Sequence, residues 1–401
     1  MAFATQAATV AKLAPSLFDH PGFSFETGKL LLSRLLLGLK VPSDGMGGRI
    51  RQVSIRITDL CNLRCHTCGQ WGDNGYLRGQ PLKELVRAEV PVERYIELLH
   101  DLAKSGHKPG LYLWGGEPML YRGAVQLIEE AARLGMPTSI ASNGSKIAEN
   151  AEALVRAPMF LAQLSIDGHD AATHNACRPG ASASADNYAT VVNALDALKR
   201  EREAKGGHLP ILAGLCTINQ RNAEHLVDIY EAFADRLDVI VFYLAWWIDE
   251  ASAKEHTADF RRRFGFEPTR HKGWIGGWTP TDYSSISKQL NELSRRATRP
   301  KLPGVIILPH LTRADDIERY YTDHAATFGY DNCTSIYRVV EINANGDMSP
   351  CRDYHDYVVG NVKTNTITEL WNNDAYRHFR CSLKKDGLMP VCTRCCGLMG
   401  N

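Results

Sequence analysis

Between residues 51 and 248, short apolar runs, loops and helical stretches recur as six β/α units. The runs fall at 53–57, 110–114, 138–141, 161–166, 211–215 and 239–244. Helical periodicity fills 92–105, 123–134, 146–156, 184–204 and 223–234. Strands that alternate with helices pair in parallel through right-handed crossovers. The chain is therefore expected to be α/β, a partial (β/α)6 TIM-like barrel. Such barrels carry their chemistry on the loops after the strands.

The first of those loops is the densest. Cys61, Cys65 and Cys68 stand there as C-x3-C-x2-C. Three thiolates on one short loop can hold three corners of a cubane iron–sulfur cluster, because soft sulfur ligands favour such clusters. No fourth cysteine is near, so one iron is left open to a substrate or cofactor. Zinc is the competing reading, although closed structural zinc sites usually take their ligands two and two. A disulfide suits an intracellular-looking chain less well.

Composition bounds the rest. With 46 Lys+Arg against 45 Asp+Glu there is no strong field, and nothing points to nucleic acid or an anionic membrane surface. Eleven cysteines are an odd number for a disulfide framework, and seven of them fall in two clusters with metal-like spacing. No apolar run reaches about 18 residues, so no transmembrane segment is expected. A reducing, cytoplasmic location follows. Residues 28–40 are rich in leucine and are expected to form an amphipathic helix that packs on the protein more readily than it skims a membrane.

Three further loops carry polar motifs. Gly115-Gly116-Glu117-Pro118 follows the second run, with glycines that permit close backbone approach to a ligand. Ser142-Asn143-Gly144 follows the third and reads equally as a turn. Ser165-Ile-Asp167-Gly-His169 follows the fourth, with Arg178 thirteen residues after Ser165. A cap or turn explains Asp167 structurally, and a surface ion pair explains Arg178. Cys177 and Cys216 read as buried apolar residues.

Together these motifs resemble the radical S-adenosylmethionine (SAM) enzymes. The resemblance implies that Cys61, Cys65 and Cys68 hold a 4Fe-4S cluster whose open iron binds SAM. Gly115, Gly116, Glu117 and Pro118 would then meet the SAM amino group, Ser142 and Asn143 the ribose, and Ser165, Asp167 and Arg178 the remaining groups, with Arg178 on the carboxylate. Two departures stand out. The gap to Arg178 is one residue longer than the family's usual one, and Thr67 replaces the aromatic residue that usually precedes the third cysteine. Trp71 or Tyr76 is the substitute expected at the adenine.

The last 70 residues form a second centre. Cys333 precedes a strand-like run at 338–343, Asn345-Gly346-Asp347 supplies a hairpin turn, and Cys351 follows. Cys392, Cys395 and Cys396 come after a helical stretch near 367–380. This arrangement is similar to the SPASM/twitch domains of the same superfamily. By that resemblance Cys333, Cys351, Cys392 and Cys395 hold one auxiliary 4Fe-4S cluster, with zinc as the alternative. Cys396 is an alternate ligand, and Cys381 is a spare ligand or inert. Full SPASM domains continue with further cysteines, whereas here only six residues follow Cys395.

Four regions are expected: an N-terminal extension (1–50), the radical SAM core (51–248), a substrate-specificity region (249–330) and the auxiliary-cluster domain (331–401). The extension looks too short for the peptide-recognition module that some relatives carry. Ala245-Trp246-Trp247-Ile248 either lines the barrel mouth or packs beneath it. The family implies reductive cleavage of SAM to a 5′-deoxyadenosyl radical, which abstracts hydrogen from a peptide or small natural-product precursor. The implied partners are that substrate and a reduced flavodoxin- or ferredoxin-type donor, and the auxiliary cluster would transfer electrons. A non-catalytic iron–sulfur or zinc scaffold is the alternative, and an intact Gly115–Pro118 motif argues against it. No general base stands out: His169, His174 and Asp249 lie near strand ends, each with an ordinary structural role.

Overall fold

A computed structural model of the chain describes residues 9–14, 44–182 and 185–399. The helix expected at 28–40 lies outside them. The strands are β1 (Gln52–Thr58), β2 (Gly110–Gly115), β3 (Thr138–Ser142), β4 (Leu161–Ser165), β5 (Ile211–Ile218), β6 (Val239–Leu244), β7 (Gly304–Leu308), β8 (Val339–Ile342), β9 (Asp347–Ser349) and β10 (Gly360–Asn361). The helices are α1 (Leu82–Ala88), α2 (Val92–Lys104), α3 (Ala124–Arg133), α4 (Ile147–Arg156), α5 (Ala171–Cys177), α6 (Asn187–Lys205), α7 (Leu226–Phe233), α8 (Glu250–Phe264), α9 (Tyr283–Arg296), α10 (Ala314–Thr322), α11 (Ile367–Trp371), α12 (Asp374–Asp386) and α13 (Cys396–Met399).

All ten strands join one sheet in the order β10-β9-β8-β1-β2-β3-β4-β5-β6-β7. Strands β1 to β7 run parallel, each beside its successor. This is the expected partial barrel, an open and mostly parallel sheet. Helices cover it with stripes of helical spacing: on α2, Tyr95, Leu98, Leu99 and Leu102 are buried. Each such side chain contributes about 1.5–3 kcal/mol on leaving water. In β1 both faces are buried. Val53, Ile55 and Ile57 join the apolar core, while Ser54, Arg56 and Thr58 form a buried polar face.

Two features exceed the six-unit expectation. Within the region after the six units, β7 pairs with β6 as a seventh parallel strand. Its outer edge is covered: Val305 N–H donates to Thr9 Oγ1 at 3.3 Å, and Lys12 Nζ donates to Leu302 O at 2.7 Å. Covering an edge in this way blocks strand pairing with other chains. At the opposite side, β8 pairs in parallel with β1, with Gln52 opposite Val339 and Ile55 opposite Ile342. The hairpin then turns at Asn345-Gly346 as expected, with Gly346 at φ +90°, and β9 runs back antiparallel.

Candidate active site at the barrel mouth

The cysteine loop after β1 is stapled to three neighbours. Gly116 N–H donates to Thr58 O at 2.8 Å and Glu117 N–H to Leu60 O at 2.7 Å. A Cβ at Gly116 would stand 2.0 Å from Leu60 O, so a side chain there would push the cysteine loop away. Gly115 has φ +142°, a region that favours glycine. Farther along, Arg64 N–H donates to Pro179 O and Ala181 N–H to Asn62 O. The segment that carries Arg178 is thereby fixed beside the cysteines.

Glu117 is fully buried. Its carboxylate accepts from Ser142 Oγ at 2.8 Å, Asn143 N–H at 2.7 Å and Met119 N–H at 3.1 Å. Burial pushes it up to about 7 in spite of these donors. Asn143 also reaches Asn62 Oδ1 at 3.0 Å. Glu117, Ser142 and Asn143 thus lock the loops after β1, β2 and β3 together, and Pro118 opens a buried 3-10 turn beneath them.

The donors around Cys61, Cys65 and Cys68 suit thiolates. Leu63 N–H points at Cys61 Sγ (3.4 Å), Trp71 N–H at Cys68 Sγ (3.4 Å) and Arg178 Nη1 at Cys65 Sγ (3.7 Å). Without a metal, burial pushes the Cys61 thiol up to about 12 and Cys65 to about 11, with Arg178 opposing the shift at Cys65. A cationic cluster reverses that balance, and hydrogen bonds to sulfur tune its potential.

Arg178 is not a surface residue. Its Nε pairs with Asp167 Oδ2 at 2.8 Å, and Asp167 is almost wholly buried. Burial works against the Arg178 charge, but Asp167 and Cys65 more than offset it. Asp167 Oδ1 also accepts from Thr217 N–H at 2.8 Å, joining the end of β4 to β5. Ser165 is the last residue of β4 and is half-buried. Arg178→Gln is expected to lower the reduction potential of the neighbouring cluster, since a cation favours the more negative reduced state. It also strands the buried Asp167, at a cost of about 3–5 kcal/mol. An anaerobic redox titration followed by electron paramagnetic resonance, with an unfolding curve, checks both.

The aromatic substitutes expected for the adenine contact have other partners. Trp71 Nε1 donates to Asp59 O at 2.7 Å, with the Arg64 guanidinium 4.2 Å from the ring centre. Tyr76 meets Arg56 through its hydroxyl and packs edge-on to His355. Indoles instead come from later in the chain. A cavity of about 370 Å³ opens beside Thr67 and Cys68, walled by Trp246, Trp247, Trp274 and Trp278. Asn219, Gln220 and Arg221 add polar groups to its wall. The tryptophan pair after β6 therefore lines the mouth. Gly277 has φ +136° and lies so close to Trp247 that a Cβ would stand 2.1 Å from the indole. Asn74 Nδ2 donates to Ile275 O at 2.8 Å, tying this strap to the cysteine loop.

The three residues considered as bases have structural partners. Asp249 caps α8 by accepting from Ser252 N–H at 2.7 Å. His174 is buried and pushed down to about 3, and its Nδ1 lies 3.3 Å from Asp167 N. His169 lies beside His225, with ring centres 4.7 Å apart.

Cys333, Cys351 and Cys392 lie within electrostatic reach of one another in the C-terminal region. Burial raises Cys351 well above the usual thiol range, and Asp353, Cys392 and Cys333 add to the shift. Cys392 is pushed up to about 12 by burial and by Cys333. Cys395 Sγ lies 3.4 Å from Asp353 Oδ2. Mutually repelling buried thiols are the donor set a cluster neutralises. Cys381, on α12, lies against Gly45 instead. The Cys396 side chain falls outside the described residues.

One residue between the centres escaped the sequence reading. Arg56, buried in β1, donates from Nη2 to Asn343 Oδ1 at 2.5 Å and to His355 Nε2 at 2.7 Å. Its Nε pairs with Asp59, two residues before Cys61, at 3.5 Å. An arginine inside a strand pattern was the available signal.

The chain carries a radical SAM domain, since that superfamily's model matches residues 55–233, and an iron–sulfur cluster-binding SPASM domain, matched at 333–396. Both are iron–sulfur domains of the kind that the two cysteine centres suit. Among curated proteins the chain is similar to the AdoMet-dependent heme synthase of Methanosarcina barkeri, with 21% identity over 85% of this chain and 88% of that protein. It is also similar to the sporulation killing factor maturation protein SkfB of Bacillus subtilis, with 28% identity over 82% of this chain and 67% of that one. Streptococcus suis SuiB shares the fold, with TM-score 0.58 and 14% identity over 94% of this chain and 83% of that one. SuiB has been solved with S-adenosylmethionine and with its precursor peptide SuiA. No described helix is long and apolar enough to cross a membrane.

Proposed function

We propose that this enzyme removes a hydrogen atom from an unactivated C–H bond of a peptide or small natural-product precursor, in a net oxidation or a bond-forming reaction. When bound, the cluster and SAM supply the 5′-deoxyadenosyl radical for that step. The carrying observation is the indole-walled cavity opening onto Thr67 and Cys68. It stands at the strand ends where barrels of this kind hold substrate. Cys61, Cys65 and Cys68 would hold the cluster, and Arg178, fixed by Asp167, would present its guanidinium beside it. The tryptophans around the cavity exclude water and orient the substrate, while Asn219, Gln220 and Arg221 offer hydrogen bonds to amide or carboxylate groups. Cys333, Cys351, Cys392 and Cys395 would fill all four corners of the auxiliary cluster, which suits electron transfer rather than substrate binding. A reduced flavodoxin- or ferredoxin-type protein is the proposed donor.

The likeness to SkfB, and to SuiB with its precursor peptide, supports a peptide substrate. The likeness to a heme synthase over most of both chains supports a small molecule as the second reading. Anaerobically reconstituted protein, reduced with dithionite in the presence of SAM, is expected to release 5′-deoxyadenosine and methionine. Absence of both products from protein carrying its full iron would sink the proposal and favour a scaffold role.

A further inference from the structure

Outside the two cysteine centres, another set of metal-binding side chains comes together among the described residues. His169, His225 and Asp228 each offer a ligand atom, and the three atoms lie within 4.8 Å of one another. His169 stands in the loop after β4, His225 at the N-cap of α7 and Asp228 in the first turn of that helix. The imidazoles are 4.7 Å apart between centres, tilted by 35°. His225 Nδ1 lies 2.9 Å from Asp228 Oδ2. His169 Nε2 lies 3.5 Å from Asp170 Oδ2, while its Nδ1 is buried with no hydrogen-bond partner among the described residues. An imidazole nitrogen shut away from water without a partner is costly. A cation bound through that nitrogen would remove the cost.

We propose that His169, His225 and Asp228 bind one divalent transition ion of the zinc class. Two imidazoles and one carboxylate suit zinc, nickel, cobalt or copper, whereas magnesium and calcium require oxygen ligands. All three side chains are partly exposed, so an ion and its completing waters can enter. The ion clamps two loops of the barrel mouth. His169 lies two residues after Asp167, the partner of Arg178. His225 closes the turn that begins with Asn219, Gln220 and Arg221 on the cavity wall. Asn222 already joins these loops, donating from Nδ2 to Asp167 O at 3.0 Å. Metal at the histidines adds a second tie to the same junction, independent of SAM and of either cluster.

The test uses the holoenzyme with both clusters in place, under anaerobic conditions. Wild type, His169→Ala/His225→Ala and Asp228→Asn are equilibrated with zinc chloride, dialysed, and analysed for zinc and iron. Wild type is expected to keep about one zinc per chain more than the double variant at equal iron, with no corresponding uptake of magnesium. Asp228→Asn, which removes an anionic ligand, is expected to weaken zinc binding by at least about 10-fold, the least that loss of even an outer partner costs. Zinc is also expected to raise the unfolding midpoint of wild type and not of the double variant. Equal zinc in wild type and the double variant overturns the proposal, and so does zinc uptake matched by loss of iron. If the double variant fails to fold, Asp228→Asn carries the comparison alone.

Discussion

Replacing Cys61, Cys65 and Cys68 together by alanine is expected to halve the iron of the reconstituted protein, from about eight to about four per chain. It is also expected to abolish SAM cleavage. The loss should be all-or-none because the three sulfurs sit on one loop whose backbone is set independently of them. Gly116 and Glu117 N–H groups hold Thr58 O and Leu60 O, and Arg64 and Asn62 hold the 179–181 segment. Removing the thiols therefore empties the site without dismantling its walls, and far-ultraviolet circular dichroism should be unchanged. Anaerobic iron and sulfide analysis reads the outcome. Four irons falling to none would show that the C-terminal thiols hold something other than a cubane, and the electron-transfer role proposed for them would fall with it.

The second large effect is expected at Arg394, between the cluster cysteines Cys392 and Cys395. This side chain is buried and donates into the C-terminal end of α10: Nε and Nη2 to Tyr320 O at 2.9 and 2.6 Å, Nη2 to Asp323 O at 2.8 Å, and Nη1 to Ala326 O at 3.1 Å. Its guanidinium also lies 4.4 Å from the Tyr320 ring centre. A cation at the last carbonyls of a helix complements the helix dipole and caps groups that lack intrahelical partners. Arg394→Ala leaves several buried carbonyls unpaired at about 1–3 kcal/mol each, and a total loss of about 3–5 kcal/mol is expected. Because the anchor lies inside the C-x2-C segment, the auxiliary iron should be lost while the iron on Cys61, Cys65 and Cys68 stays. Arg394→Lys should recover only part of the loss, since an ammonium group cannot reproduce the planar fork. Retention of all iron by Arg394→Ala would show that the cysteines hold the segment unaided.

The contrast between these sites explains what the sequence could disclose. The first cysteine loop was legible because its ligands are local and their spacing is itself the chemistry. The hairpin between Cys333 and Cys351 was legible for the same reason, since Asn345-Gly346 marks the turn. Arg394 and Arg56 were not, because the groups they satisfy are carbonyls and side chains tens to hundreds of residues away. Helix α8 was missed because its charges surround it and it buries only Ala253, His256 and Phe260. The start of α6 differs from expectation because Asp186 caps it, accepting from Ala189 N–H at 3.1 Å. Trp71 and Tyr76, the aromatics nearest in sequence, engage Asp59 and Arg56 through their polar atoms. The indoles that reach the cavity stand on the 246–247 and 274–278 segments, brought back over the mouth by the strap that Asn74 holds.

The pairing of β8 with β1 has a consequence for how the chain is made. Arg56 and Asn343 are 287 residues apart, yet they meet inside the protein. At synthesis rates of about 5–20 residues per second, the first strand waits on the order of 15–60 s for its outer neighbour. During that interval one edge of β1 is open, beside the cysteine loop and with Arg56 lacking two of its acceptors. Contacts of such long range also slow folding, because chain entropy is lost before they form. The nascent barrel is thus most exposed to aggregation where its first cluster is to be built, and closing the sheet seals both centres in one late step.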